Sequence, residues 1–353
     1  MVTIAIDAMG GDNGLSVTMP AVKSFLGRNE ADKLILVGRE AEIRSEMEKL
    51  AIASERISIR HAEQVVGMDE VPQDALRHKR DSSMRVACDL IKSGEADGAL
   101  SSGNTGALMA TARYALKTMA GMRRPAIARY LPTKIPGKNV LCLDLGANVD
   151  VKAEQLCEFA ILGSHWAQMV SGDPSRRPAV GLLNVGVEEI KGGGEVKKAY
   201  AALSKKELDV DFAGNAEADA IFSGEFDVVV CDGFAGNVML KTIEGTAKFL
   251  GSELKQAFTR NIFAKICAAI ALPALAPIRK KYDPRAYNGA ILLGLNGLVL
   301  KSHGGTDAKG FCAAMLESAR LAAEFDMQAM QSAVEGDARR LPALLEPREW
   351  EGA

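Results

Sequence analysis

Gly98-Ala-Leu-Ser-Ser-Gly-Asn-Thr-Gly-Ala-Leu-Met109 passes from an apolar run, through a small polar turn bounded by glycine, into a stretch with helical spacing that reaches Lys117. Strand, tight turn and helix in this order form the repeating half of a parallel sheet covered by helices. The same order recurs along the chain. Thr3–Asp7 and Gly98–Ser101 read as strands, as do 33–37, 57–60, 140–145, 180–183 and 227–231. Several are unbroken apolar runs, as expected of strands covered on both faces. Helical spacing marks 16–26, 40–50, 107–117, 153–169, 238–258 and 308–325. The expected fold class is α/β, a doubly wound, mostly parallel α/β/α sheet. Residues 1–335 are expected to form one domain with an apolar protruding segment near 258–285, and 336–353 a polar C-terminal tail.

Composition narrows the function. Hydrophobic residues are 48% and charged residues 25% of 353, so the chain can bury a core and is not a disordered one. With 43 basic and 45 acidic residues and 5% aromatics, neither a nucleic-acid coat nor a base-stacking platform is expected. The opening Met-Val-Thr-Ile-Ala-Ile-Asp has no basic, long apolar leader, and none of the six cysteines forms a C-x-x-C pair. A cytoplasmic protein with reduced thiols is expected. The longest strongly apolar uncharged stretch, 266–278, is too short to span a bilayer.

Glycines gather where strands end and helices begin. Asp7-Ala-Met-Gly-Gly-Asp-Asn-Gly14, Ser101-Ser-Gly-Asn-Thr-Gly106, Asp144-Leu-Gly-Ala-Asn148, Asn184-Val-Gly186, Asp232-Gly-Phe-Ala-Gly-Asn237 and His303-Gly-Gly-Thr-Asp307 all do so. The carboxyl ends of parallel strands form a ligand crevice, and backbone N–H groups at such turns and at helix N-termini cradle anions. One crevice holding a phosphate-like or carboxylate-like ligand is therefore expected. P-loop, dinucleotide, nucleophile-elbow and H-E-x-x-H signatures are missing, and no metal ligand set is expected. Of the four histidines, His61, His78 and His165 lie in helix- or strand-like context, and His303 alone sits in a glycine-rich loop. Cys231 ends a strand, but no histidine lies near it in sequence to activate it, so it reads as a small buried hydrophobe.

Read together and in order, Asp-Ala-Met-Gly-Gly-Asp (7–12), Ser-Gly-Asn-Thr-Gly-Ala-Leu-Met (102–109), Leu-Asp-Leu-Gly-Ala-Asn (143–148), Leu-Asn-Val-Gly (183–186), Asp-Gly-Phe-Ala-Gly-Asn-Val-Met-Leu-Lys (232–241), Glu-Gly (244–245), Gly-Ala-Ile-Leu-Leu-Gly-Leu-Asn-Gly (289–297) and Lys-Ser-His-Gly (301–304) resemble the bacterial phosphate acyltransferases of phospholipid synthesis. The resemblance runs from about residue 3 to 320; Gly14-Leu15 departs from it locally. It implies a fold like those of phosphotransacetylases and isocitrate/isopropylmalate dehydrogenases, a homodimer, and transfer of an acyl group from acyl carrier protein to inorganic phosphate. The acyl phosphate would then pass to a membrane glycerol-phosphate acyltransferase. No cofactor is implied. An acyl-CoA-using phosphotransacetylase-like enzyme and a non-catalytic membrane-surface adaptor that recruits carrier protein are the alternatives.

Candidate catalytic residues are Asn104, Asn148, Asp232, Asn237 and His303. Candidate substrate-binding residues are Asp7, Gly10, Gly11, Asp12, Ser102, Gly103, Thr105, Gly106, Asn184, Gly233, Gly236 and Lys241. An acidic carrier protein calls for a basic docking face, with Lys197, Lys198, Lys205, Lys206, Arg260, Lys265 and Arg279–Lys281 as candidates. Ile262, Ile266 and Ile270 recur at helical spacing, Leu272 and Leu275 extend the apolar surface, and cations flank them. Peripheral contact with the inner face of the membrane is expected there, with Pro273 and Pro277 interrupting further helix.

Overall fold

The structure is a computed structural model that describes residues 1–281, 285 and 288–346, with the backbone alone at 278–281. The side chains of Ile278, Arg279, Lys280 and Lys281 lie outside the described residues, as do 282–284, 286–287 and 347–353. Strands are β1 (Thr3–Asp7), β2 (Lys33–Gly38), β3 (Ile57–His61), β4 (Gly98–Ser101), β5 (Ala126–Pro132), β6 (Asn139–Leu143), β7 (Ala179–Leu183), β8 (Asp211–Ala216), β9 (Val228–Val230), β10 (Ala290–Leu293) and β11 (Leu298–Lys301). Helices are α1 (Leu15–Leu26), α2 (Glu40–Lys49), α3 (Pro72–His78), α4 (Ser83–Lys92), α5 (Thr105–Leu116), α6 (Ala153–Ser171), α7 (Gly194–Leu203), α8 (Gly233–Thr259), α9 (Ile262–Lys281), α10 (Ala308–Glu324) and α11 (Met327–Leu345).

Among the described residues the strands form one sheet in the order β3-β2-β1-β4-β11-β10-β5-β6-β9-β7-β8. The sheet is mostly parallel, with helices on both faces, which is the expected class. Apolar runs such as Ile4, Ala5 and Ile6 are fully buried because helices cover both faces of the strand. One core lies between the sheet and α1, α6, α10 and α11; a second lies under α5 and the first half of α8.

The sheet departs from a uniformly parallel one in its middle. β10 runs antiparallel to β11 and β5, and β5 runs antiparallel to β6. The half containing β3, β2, β1, β4 and β11 therefore points one way, and the half containing β6, β9, β7 and β8 points the other. Carboxyl ends of the two halves lie at opposite edges. The single crevice expected from the glycine loops becomes two centres. The strands β5, β8, β10 and β11 were not anticipated: β5 and β8 carry Arg129, Asp211 and Asn215 within them, and β10 and β11 have only four residues each.

Two further expectations are corrected. α9 continues through Pro273 and Pro277 as a helix, packed along α8 as a hairpin. The stretch from 336 is not a tail as far as Leu345. It belongs to α11, which buries Val334, Leu341 and Leu344 against α6. Asp337 anchors it, accepting from His165 Nε2 at 2.7 Å and from the Asp209 N–H at 2.8 Å, and pairing with Arg340.

Candidate active site

The first centre joins the loops after β1, β4 and β11. Ser102 Oγ donates to the Gly10 carbonyl at 3.0 Å, and Asp12 N–H donates to the Gly304 carbonyl at 3.1 Å. Asp7 accepts from Ser101 Oγ at 2.6 Å, and that hydroxyl accepts from Gly103 N–H at 3.0 Å. Burial pushes the Asp7 carboxyl upward against these hydrogen bonds. Asp7 is therefore a positioning residue that sets the Ser101–Gly103 turn. A Cβ on Gly10 would stand 2.6 Å from Asp7 Oδ2, so the turn approaches too closely for any other residue.

The Gly103 N–H is thus already partnered within the protein. Asn104 is fully used as well: its Oδ1 caps α5 by accepting from Ala107 N–H, and its Nδ2 donates to the carbonyls of Met68 and Glu70. It holds the loop before α3 against the start of α5, where Thr105 and Gly106 begin the helix.

Lys301 is the group that the residue-by-residue reading passed over. It lies at the end of β11 and is 9% exposed, with Nζ donating to the carbonyls of Ser102 and Ser302. Burial lowers its pKa to about 8, opposed by the charges of Asp7 and Asp12. A lysine closing an apolar strand, Leu298-Val-Leu-Lys301, was the available signal. Beside it, His303 Nδ1 accepts from Gly305 N–H at 3.1 Å, which leaves Nε2 as the protonated donor. Burial lowers the His303 pKa; Glu244 pulls it up, while Lys241, Lys301 and Lys248 push it down. Asn288 fastens this loop, accepting from His303 N–H at 3.0 Å and donating to Ser302 Oγ and Thr306 Oγ1.

The second centre joins the loops after β6, β9 and β7. Here the backbone cradle is filled by the protein's own carboxylate. Asp144 Oδ1 accepts from the N–H groups of Ile127, Gly146 and Ala147, and Oδ2 accepts from Asn148 N–H at 2.7 Å and Asn148 Nδ2 at 2.9 Å. Burial raises the Asp144 pKa, yet all five neighbours are donors, a set made for the ionised form. The Asn148 amide also donates to the Pro125 carbonyl, so Asn148 builds the loop. Asp232 caps α8 through Ala235 N–H at 2.8 Å, and Gly233 N–H reaches the Asn148 carbonyl. A Cβ on Gly236 would overlap the Asp144 carbonyl oxygen, so only glycine lets α8 start there. Asn237 is exposed beside Gly146, and Asn184 is engaged with Val185 N–H and the Lys191 carbonyl. Cys231 is buried, and its thiol is held well above the usual value by burial, which suits the inert reading.

α8 links the centres. It starts at the second and runs toward the first, carrying Lys241, Glu244 and Lys248 to the neighbourhood of His303. Glu244 also pairs with Arg129 on β5 at 3.0 Å. The structure thus brings His303, Lys301 and Lys241 into one neighbourhood with Asp12 and Ser102, and leaves Asn148, Asp232 and Asn184 at the other edge. Among the described residues no cluster of metal-ligating side chains occurs, and no helix is long and apolar enough to cross a membrane.

Comparison with known proteins gives the context. The fatty acid synthesis protein family matches residues 2–330. A phosphate acyltransferase of Neisseria meningitidis serogroup B is 50% identical over 344 residues, covering 98% of this chain and 96% of its own. One from Chromobacterium violaceum is 52% identical over 318 residues, covering 90% of each. In fold, the chain resembles a phosphotransacetylase of Streptococcus pyogenes, with a TM-score of 0.61 at 18% identity, covering 92% of this chain and 94% of that one. A branched-chain phosphotransacylase of Enterococcus faecalis gives 0.55 at 13% identity, covering 91% and 99%. With half of its residues shared with phosphate acyltransferases along nearly its whole length, the chain belongs to the fatty acid synthesis protein family of bacterial phosphate acyltransferases.

Proposed function

We propose that this chain transfers a fatty acyl group from the thioester of acyl carrier protein to inorganic phosphate. The supporting observation is the buried Lys301 ammonium beneath the Ser102 and His303 turns, beside a neutral imidazole N–H and the cations of α8. This neighbourhood offers charge and donors. That suits a reaction whose nucleophile, phosphate, arrives already ionised.

In this reading a phosphate oxygen bonds to the thioester carbon while the carbonyl oxygen takes up negative charge. The tetrahedral adduct then collapses, the C–S bond breaks, and its electron pair leaves with sulfur. A thiol of pKa about 8.5 departs as thiolate with little need of a proton. Lys301 holds the phosphate charge, and His303 Nε2–H and Lys241 donate to the developing oxyanion.

The product is a reactive, poorly soluble acyl phosphate, destined in this reading for a membrane glycerol-phosphate acyltransferase in phospholipid synthesis. The α8–α9 hairpin supports peripheral membrane contact for a cytoplasmic homodimer: Phe263 and Ile270 are each 76% exposed, and Ile262, Ile266, Leu272 and Leu275 extend the apolar surface, with Arg260 before it and Lys265 within it. Lys197 and Lys198 on α7, and Lys205 and Lys206 just beyond it, remain candidates for docking the acidic carrier.

The test is direct. The protein is incubated with palmitoyl-acyl carrier protein and phosphate, and acyl phosphate is trapped with hydroxylamine while free thiol is counted. Equal yields of hydroxamate and thiol, both dependent on phosphate, are expected. Thiol release without phosphate dependence, or no release at all, refutes the reading.

A further inference from the structure

Beneath the middle of α8 lies a cavity of about 510 Å³ that the chemistry above does not use. Its walls are Leu131 and Pro132 of β5, Phe222, and Leu240, Thr242, Ile243, Thr246, Ala247 and Leu250 of α8. Charged groups are limited to the Arg129–Glu244 pair at its rim. Glu244 is also one of the charges nearest His303. The groove therefore runs along the stretch of α8 that also faces the proposed reaction centre. From Leu240 to Leu250 the helix rises about 15 Å. The volume falls within the range of about 300–1,000 Å³ found for small-ligand sites.

We infer that this groove receives the acyl chain of the substrate, with Ala247 at the position that limits how long a chain it accepts. The inference rests on the acyl-transfer reading, and three observations favour this occupant. Seven of the eleven lining residues are apolar, the others being Thr242, Thr246 and the Arg129–Glu244 pair, so most of a hydrocarbon chain meets apolar surface. The charged pair of the lining, Arg129 and Glu244, includes the carboxylate whose charge acts on His303, where the polar head of such a substrate belongs. Leu240, Ile243, Ala247 and Leu250 share one face of α8 in the groove, joined in the lining by Thr242, Glu244 and Thr246, while the charges of Lys241 and Lys248 act on His303. Chain and head are thereby separated by the geometry of one helix.

Ala247 is exposed in this chain, so a larger side chain fits there without entering the core. An indole at this position fills the middle of the groove. Each methylene kept from burial lowers affinity about fourfold. Displacing two or more should cut kcat/KM for a palmitoyl thioester more than tenfold and leave that for a hexanoyl thioester within about twofold.

The experiment measures both thioesters of acyl carrier protein with wild type, Ala247→Trp and Leu250→Ala. The long-to-short ratio should fall more than tenfold in Ala247→Trp and stay level or rise in Leu250→Ala. Circular dichroism and the retained hexanoyl rate establish that the tryptophan variant is folded. If wild type turns over neither thioester, the acyl-transfer reading fails. If both are turned over and the ratio is unchanged in a folded Ala247→Trp, the groove is not the chain site. A changed oligomeric state with an unchanged ratio assigns the groove to a subunit contact and overturns the inference equally.

Discussion

Replacing Asp144 by Asn tests whether the second glycine loop is a ligand cradle or a closed structural unit. In the native loop five donors converge on one carboxylate, three on Oδ1 and two on Oδ2. The amide of an asparagine has one acceptor only. Its cheaper orientation keeps the oxygen on the side of Ile127, Gly146 and Ala147 and turns the NH2 toward the two donors of Asn148. Two buried donors then face a donor, at about 1–3 kcal/mol each, or about 2–6 kcal/mol together. Unfolding entropy near 2.1 cal/mol/K per residue gives about 0.74 kcal/mol/K for 353 residues, so Tm should fall by about 3–8 °C. Differential scanning calorimetry at pH 7 measures the shift directly. A Tm within one degree of wild type would mean that the five donors do not depend on a carboxylate, and the description of this loop as self-filled would fall.

Lys301→Met should raise the phosphate KM at least tenfold. In the wild type phosphate binding should weaken as pH rises through about 8, where this lysine loses its proton; an identical pH profile in the variant removes Lys301 from the phosphate site. His303→Gln keeps a donor and should retain far more activity than His303→Ala, with no limb near pH 6–7 in the wild-type rate; equal losses would contradict donation from Nε2. Asp337→Ala leaves the buried His165 Nε2 and the part-buried Asp209 N–H without their partner and should destabilise the fold by about 1–3 kcal/mol, measured by urea denaturation. Ile266→Asp combined with Leu272→Asp should abolish co-sedimentation with anionic vesicles while the protein stays folded; persistent binding would place the membrane contact elsewhere.

The class of fold was legible because burial on both faces leaves an uninterrupted apolar run, and because a helix that follows such a strand starts with a capping residue. Asn104, Asp232 and Asp307 were visible in the sequence as polar residues at turns, and each caps the helix expected after it. Those same residues show the limit. An asparagine that binds substrate and one that caps a helix have the same neighbours in sequence, and only the partners of its amide tell them apart. Asn104 proves to be committed to backbone groups and Asn148 to the Pro125 carbonyl and the Asp144 carboxylate, whereas Lys301, hidden at the end of an apolar strand, proves to be a buried cation in the centre of three loops.

By itself the sequence determined the α/β alternation, the family, and the position of six glycine loops at the ends of β1, β4, β6, β7, β9 and β11. Tertiary structure decided how those turns are grouped. Strand direction depends on which strands pair, and pairing is a contact between segments far apart in the chain: β5 finds β10 across more than 150 residues. Two antiparallel pairings beside β10 and one beside β6 reverse half of the sheet. That reversal, which no local pattern encodes, sends the glycine loops to two edges and leaves α8 to carry Lys241 and Glu244 from one to the other.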